Sequence, residues 1–181
     1  MFYLIVLLLG AAALVAYFYN RLVAKLNLVR EGWSGVDVQL KLRHDLIPNI
    51  VSIVQGYSKH EAETLKNVTT ARSTRFQDAG SLAASEQAIS KGIQGVFALA
   101  EAYPDLKANS SYLDLHKQLI EVEEKIQYAR RYYNGCVRDY NILIETVPSN
   151  LFAKLFSFAP AEFFELNSVA ERVSPEVSFE K

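Results

Sequence analysis

The first 20 residues, MFYLIVLLLGAAALVAYFYN, carry no Lys, Arg, Asp or Glu, and they run with no proline or turn signal into the heptad-patterned stretch RLVAKLNLVREGWSGVDVQLKLRHDLIPNIVSIV. A bilayer is crossed by about 20 mostly apolar helical residues. One long helix that leaves a membrane and enters a bundle is therefore expected. Tyr17, Phe18 and Tyr19 close the apolar run, where aromatic rings favour the headgroup zone. Arg21, Lys25 and Arg30 follow with no acid between them, which places that side in the cytoplasm and the amino terminus outside. A cleaved signal peptide would show a basic leader and a small-residue cleavage site before a new domain start. Residues 1–20 are accordingly read as an uncleaved anchor, with Tyr17, Phe18, Tyr19, Arg21 and Lys25 at the membrane interface.

The remaining stretch suits one domain with its own core. Its charges nearly cancel, 19 basic against 20 acidic residues in the whole chain. That balance argues against a nucleic-acid partner, which would need a basic excess to neutralise phosphates. The lipid bilayer is the expected electrostatic partner, through the juxtamembrane cations; protein partners are expected but unidentified, and a homo-oligomer stays open.

Leu22, Leu26, Val29, Trp33, Val36, Leu40, Arg43, Ile47, Ile50, Val54 and Tyr57 follow one another at alternating steps of four and three, the signature of a helical seam. Arg43 interrupts it, and a charge there must snorkel or meet an acid. Pro48 deletes one backbone hydrogen bond and is expected to bend the helix. Gly56 and the capping-box spacing from Ser58 to Glu61 suggest a break, with an unbroken helix as the alternative. A second helix then carries Leu65, Val68, Ala71 and Phe76 to a turn at residues 78–81.

A third helix runs through Leu82, Ile89, Ile93, Val96, Ala100 and Tyr103 and stops at Pro104. The fourth, capped near Asn109, carries Tyr112, Leu115, Leu119, Val122, Ile126, Ala129, Tyr133, Cys136, Tyr140, Leu143 and Val147 and ends at Pro148. The reading is all-α: a transmembrane helix, then an antiparallel up-and-down four-helix bundle over 21–148, alternatively three-helix, with long first and last helices. Residues 149–181 form an aromatic-rich segment. Leu151, Phe152, Leu155, Phe156, Phe158, Phe163 and Phe164 are expected to pack on the long helices or on the membrane surface. The stretch from Ser168 onward is expected to be irregular.

No nucleophile with an adjacent base, phosphate loop or dinucleotide fingerprint is present, so no catalytic residue is assigned. No metal or cofactor is expected: His60-Glu61 with Glu63 lacks the second histidine of a zinc-binding helix, and His44 and His116 stand apart. Cys136 falls on the seam and reads as a small core residue. Gly32 and Gly35, like Gly92 and Gly95, suggest close approach of helices. The densest polar group is Arg43, His44, Asp45 and Asn49 around Pro48, with Arg130, Arg131 and Asn134 flanking the fourth seam. It reads as a structural network, with anion binding or helix docking as the functional alternative.

Three stretches, YNRLVAKLNLVREGWSGVDVQLKLRHDLIPNIVSIVQGYSKHEAETL, AEAYPDLKANSSYLDL and ARRYYNGCVRDYNILIETVPSNLFAKLF, together resemble the LemA family. RHDLIPN, YPDLKA and ARRYYN are its distinctive parts. The resemblance implies a bacterial single-pass inner-membrane protein with a cytoplasmic helical bundle, and it offers no catalytic residue to carry over. Gly32 stands where such proteins commonly have Ala, and Leu42 where a basic residue is common. A membrane-tethered interaction or scaffold protein, not an enzyme, is the resulting expectation. The alternative is a ligand-binding sensor or enzyme using the cluster around Arg43–Asn49.

Overall fold

The computed structural model describes residues 1–57 and 79–164, and every regular element among them is helical. The helices are α1 (Phe2–Tyr57), α2 (Ala79–Glu101), α3 (Pro104–Lys107), α4 (Ser110–Glu145) and α5 (Ser149–Leu155). An irregular strap, residues 156–164, follows α5. The expected second helix at Leu65–Phe76, the capping box from Ser58, the His60 group, the start of the turn at Asp78 and the stretch from Ser168 lie outside the described residues. Gly56, expected to close the first helix, instead lies inside α1, which runs on through Tyr57. Gly80 and Ser81, expected in that turn, fall inside the first turn of α2.

One unbroken helix joins the apolar leader to the core. The leader is apolar and long enough to cross a membrane, and its most apolar window buries nothing against the other described residues. From Leu22 onward the same helix turns a buried stripe inward: Leu22, Val29, Val36, Leu40, Arg43, Ile47, Ile50 and Val54. Above Arg43 the stripe widens to include Leu46 and Val51, where α1 meets α2 as well as α4. A helix with two partners needs a broader apolar face than the single seam predicts. The helix passes through Pro48, whose missing N–H leaves the His44 carbonyl without its usual donor.

Contacts between α1 and α4 pair Lys25 with Asp139, Arg43 with Glu123, and Tyr57 with Asn109. The helices approach closely at Gly32, where an added Cβ would stand 3.1 Å from Tyr133 Cα. Gly35 has open space around it, so only the first of the two glycines marks a close approach. Pro104 does end the preceding helical pattern, but it also opens α3, where a missing N–H removes no intrahelical bond. Leu106 on that short turn is fully buried. Asn109 caps α4, its Oδ1 accepting the Tyr112 N–H at 3.1 Å.

The fourth seam buries Tyr112, Leu119, Val122, Ile126, Tyr133, Tyr140 and Leu143. Val147 departs from it. It is 79% exposed because α4 ends at Glu145 and the chain turns into α5 before that residue could face the core. Ala153 of α5 joins Leu22 and Leu143 in a small apolar cluster. Around it Phe18 stacks on Phe152 with centroids 5.0 Å apart, and Tyr19 meets Phe156 edge-on at 4.9 Å. Where α1 leaves its leader, then, the cover comes from α5 and the start of the strap.

Candidate functional site

Arg43 is the one charged residue in the α1 seam, and it is 1% exposed. An isolated buried cation costs several kcal/mol, on the order of the whole stability margin, so partners are obligatory. Two helices supply them. Glu86 and Ser90, one turn apart on α2, and Glu123 on α4 converge on the guanidinium. Nη2 donates to the Glu86 carboxylate, while Nη1 donates to Ser90 Oγ at 2.8 Å and to Glu123 Oε1 at 2.6 Å. Ser90 Oγ in turn donates to Glu123 Oε2 at 3.3 Å. His44, half-buried beside Arg43, places Nε2 3.0 Å from the other oxygen of Glu86.

Burial alone pushes the Glu86 carboxyl up. The hydrogen bond from His44 and the charge of Arg43 outweigh burial and hold the group below the ordinary glutamate range. Glu86 is therefore a carboxylate that only accepts, as the donors around it require. The arrangement is a charged lock joining α1, α2 and α4.

The remaining residues of the expected polar group do not enter the lock. Asp45 and Asn49 are exposed on another face of α1. Arg131 is exposed over the Tyr128 ring, 4.6 Å from its centroid. Arg130 lies over the Phe164 ring at 5.2 Å, and Asn134 pairs with the strap. The single group expected from sequence is thus two centres. Glu86, Ser90 and Glu123 were missing from it, although the seam steps from Leu82 to Ile89 and skips the position where Glu86 stands.

The second centre is a ladder on α4. Tyr133-Asn134 and Tyr140-Asn141 repeat the same pair seven residues apart, which returns both pairs to one helix face. Asn134 Nδ2 donates to the Phe164 carbonyl at 3.2 Å, while its Oδ1 accepts the Phe164 N–H at 2.9 Å. Asn141 does the same to Ala161, both bonds at 2.9 Å. The phenols of Tyr133 and Tyr140 donate to the carbonyls of Glu162 at 2.8 Å and Ala159 at 3.1 Å. Burial raises both phenols above the ordinary tyrosine value, so they remain donors. Phe164, 1% exposed, closes the ladder edge-on to Trp33 at 5.9 Å.

At the other end of the α1–α4 groove, Arg21, Lys25, Asp139, Ile142, Leu143 and Thr146 line a hollow of about 240 Å³. Lys25 reaches Asp139 at 3.4 Å, and Arg21 donates to the Tyr17 hydroxyl at 3.4 Å. Bonds from Arg138 first, and from Lys25, hold the Asp139 carboxyl below its ordinary value. Among the described residues no group of three or more His, Cys, Asp or Glu side chains is arranged to hold a metal. Cys136 is a half-buried free thiol packed against the core.

Comparison with known proteins places these centres in a family context. Protein LemA of Metamycoplasma hominis is 27% identical over 163 residues, 88% of this chain and 74% of that protein. The magnetosome proteins MamQ 1 and MamQ 2 of Paramagnetospirillum magneticum are each 33% identical over 70 residues, which is 39% of this chain and only 26% of theirs. The LemA family profile matches residues 32–179, a span that includes Arg43, its three partners and the whole ladder. The chain belongs to the LemA family.

Proposed function

We propose that this protein is a single-pass inner-membrane protein, amino terminus outside, whose antiparallel helical bundle stands in the cytoplasm as an interaction or scaffold module. The observation that carries the reading is the division of α1. The most apolar stretch of its leader is exposed and meets no partner among the described residues, and the same helix then forms the spine of the core. An exposed apolar surface of that length is stable only in lipid or against another protein. The Arg43 lock supports a non-catalytic role, because its charges are consumed by one another inside the core.

Resistance of the full chain to alkaline carbonate extraction, together with a cytoplasmic signal from a reporter fused at Lys181, is the expected result. Release by carbonate, or a reporter active only outside, would overturn the placement. For the interaction role, crosslinking in native membranes is expected to recover the same proteins repeatedly. Recovery of nothing above an untagged control would count against it.

A second reading, a small-ligand sensor, draws on a hollow of about 420 Å³ beside the lock, lined by Ser90, Ile93, Phe97, Ile120, Glu123 and Glu124. An apolar amine is the chemistry it would accept. Replacing Glu124, which is exposed and outside the lock, would remove ligand-dependent protection in this reading and leave stability unchanged.

A further inference from the structure

The ladder on α4 recognises main chain. Its six hydrogen bonds all go to backbone N–H and C=O groups of residues 159–164, and side-chain selection rests on small Ala161, on Phe164 between Trp33 and Arg130, and on Phe158, which packs on the core and meets the Tyr19 ring at 6.0 Å. An extended segment with an aromatic three positions before and three positions after a small residue satisfies it. The identical segment of another copy satisfies it fully.

The link that holds the strap in place is strained. Ser157, between α5 and the strap, has φ 58°, and it is the one described non-glycine residue with positive φ. A side-chain-bearing residue held there costs free energy that is released when the link opens, against the loss of the two bonds that close α5, Ser157 N–H to the Lys154 carbonyl at 3.2 Å and Phe158 N–H to the Ala153 carbonyl at 2.9 Å. Opening at Ser157 lets the strap leave once its six hydrogen bonds and the Phe158 and Phe164 contacts are released, and the ladder residues remain on one face of α4.

We infer that the Tyr133-Asn134/Tyr140-Asn141 face is a docking site for an extended peptide, and that in trans its occupant is the 158–164 strap of a second copy, exchanged reciprocally in a two-fold dimer. The exchange needs no new complementary surface, because every contact already exists within one copy. It is symmetric and self-limiting. It deepens the interaction-module reading by naming a partner and rests on that reading for its setting. Confinement of copies to one bilayer raises their effective concentration.

Two full-length chains with different tags are expressed together, one carrying a photo-reactive phenylalanine at Phe163, which is 40% exposed. After irradiation of native membranes, a covalent product joining that position to α4 of the other tagged copy is expected. Products confined to single chains, or inter-copy products mapping away from α4, overturn the proposal. Ser157→Gly removes the strain of the closed link without touching the ladder, and should lower the ratio of inter-copy to intra-copy product about five-fold. An unchanged ratio overturns the role given to the link. Asn134→Ala with Asn141→Ala should reduce both products together, and an inter-copy product that persists while the intra-copy product vanishes overturns the docking site. Repeating the irradiation in detergent micelles separates this proposal from the one above: a chain without heterologous partners, or without membrane anchorage, still yields the exchanged dimer.

Discussion

The Arg43 lock and the Tyr-Asn ladder solve the same problem, holding a further element against the paired helices α1 and α4, by opposite means. The lock uses full charges in the core, where each member is needed to offset the desolvation of the others. The ladder uses neutral amides and phenols at the edge, each asparagine exchanging two bonds with one backbone residue and each phenol donating one to a carbonyl. The first is unforgiving to loss of one partner and sensitive to pH. The second is graded, indifferent to pH across the physiological range, and detachable. A fixed joint and a releasable one thus sit on the same helix, ten residues apart from Glu123 to Tyr133.

The contrast is tested most severely by Arg43→Ala, which leaves Glu86 buried without its cation and should destabilise the protein by about 3–5 kcal/mol. Chemical denaturation would register the loss. Pairing Arg43→Met with Glu86→Leu should recover most of it; a double variant as unstable as the single one would show that the network is more than a charge-for-charge lock. Next in size, Asn141→Ala should cost roughly 1–3 kcal/mol in strap attachment, read as faster amide exchange at Ala161 with protection in the α1–α4 core retained. Uniform loss of protection would show that strap and core are one cooperative unit.

Acid separates the two centres further. Because the folded Glu86 carboxyl lies below its ordinary value, the lock contributes fully above the usual glutamate range, about pH 4.3, and its contribution is lost as pH falls through the lowered value. Glu86→Gln should flatten that acid limb of the stability profile, whereas Asn141→Ala should leave its shape unchanged. A smaller effect is expected from Tyr140→Phe, about 0.5–1.5 kcal/mol for one lost hydrogen bond to the Ala159 carbonyl. The smallest change should be stabilising. Gly35→Ala, with open space at its Cβ, should add about 0.5–1 kcal/mol through helix propensity alone, detectable as a raised melting temperature.

Helical periodicity made the fold readable wherever one face of an element is apolar. The α1 and α4 seams, the Asn109 cap and the demand that Arg43 find an acid all follow from residue type and spacing. The identity of that acid was visible only as an omission. Glu86 occupies the seam position between Leu82 and Ile89 that an apolar template passes over. Proximity in sequence groups Asp45 with Arg43, yet two residues along a helix is about 200° around its axis, so the pair face apart. Asn49 lies on Asp45's exposed side one turn later. The ladder escaped because hydrogen bonds to main chain leave no complementary pattern in the residues they hold. Tyr133 and Tyr140 were legible as seam aromatics, but their hydroxyls and the neighbouring asparagines acquire a role only when residues 159–164 are laid beside them.

Because α1 continues unbroken from Phe2 to Tyr57, the angular phase between its two halves is set by residue count. Inserting or deleting one residue near Tyr19 would swing the leader by about 100° relative to the face that carries Arg43. Phe152 and Phe156 grip the helix at that junction, so the leader meets its surroundings in an orientation indexed to the bundle, as a key's bit is indexed to its shaft.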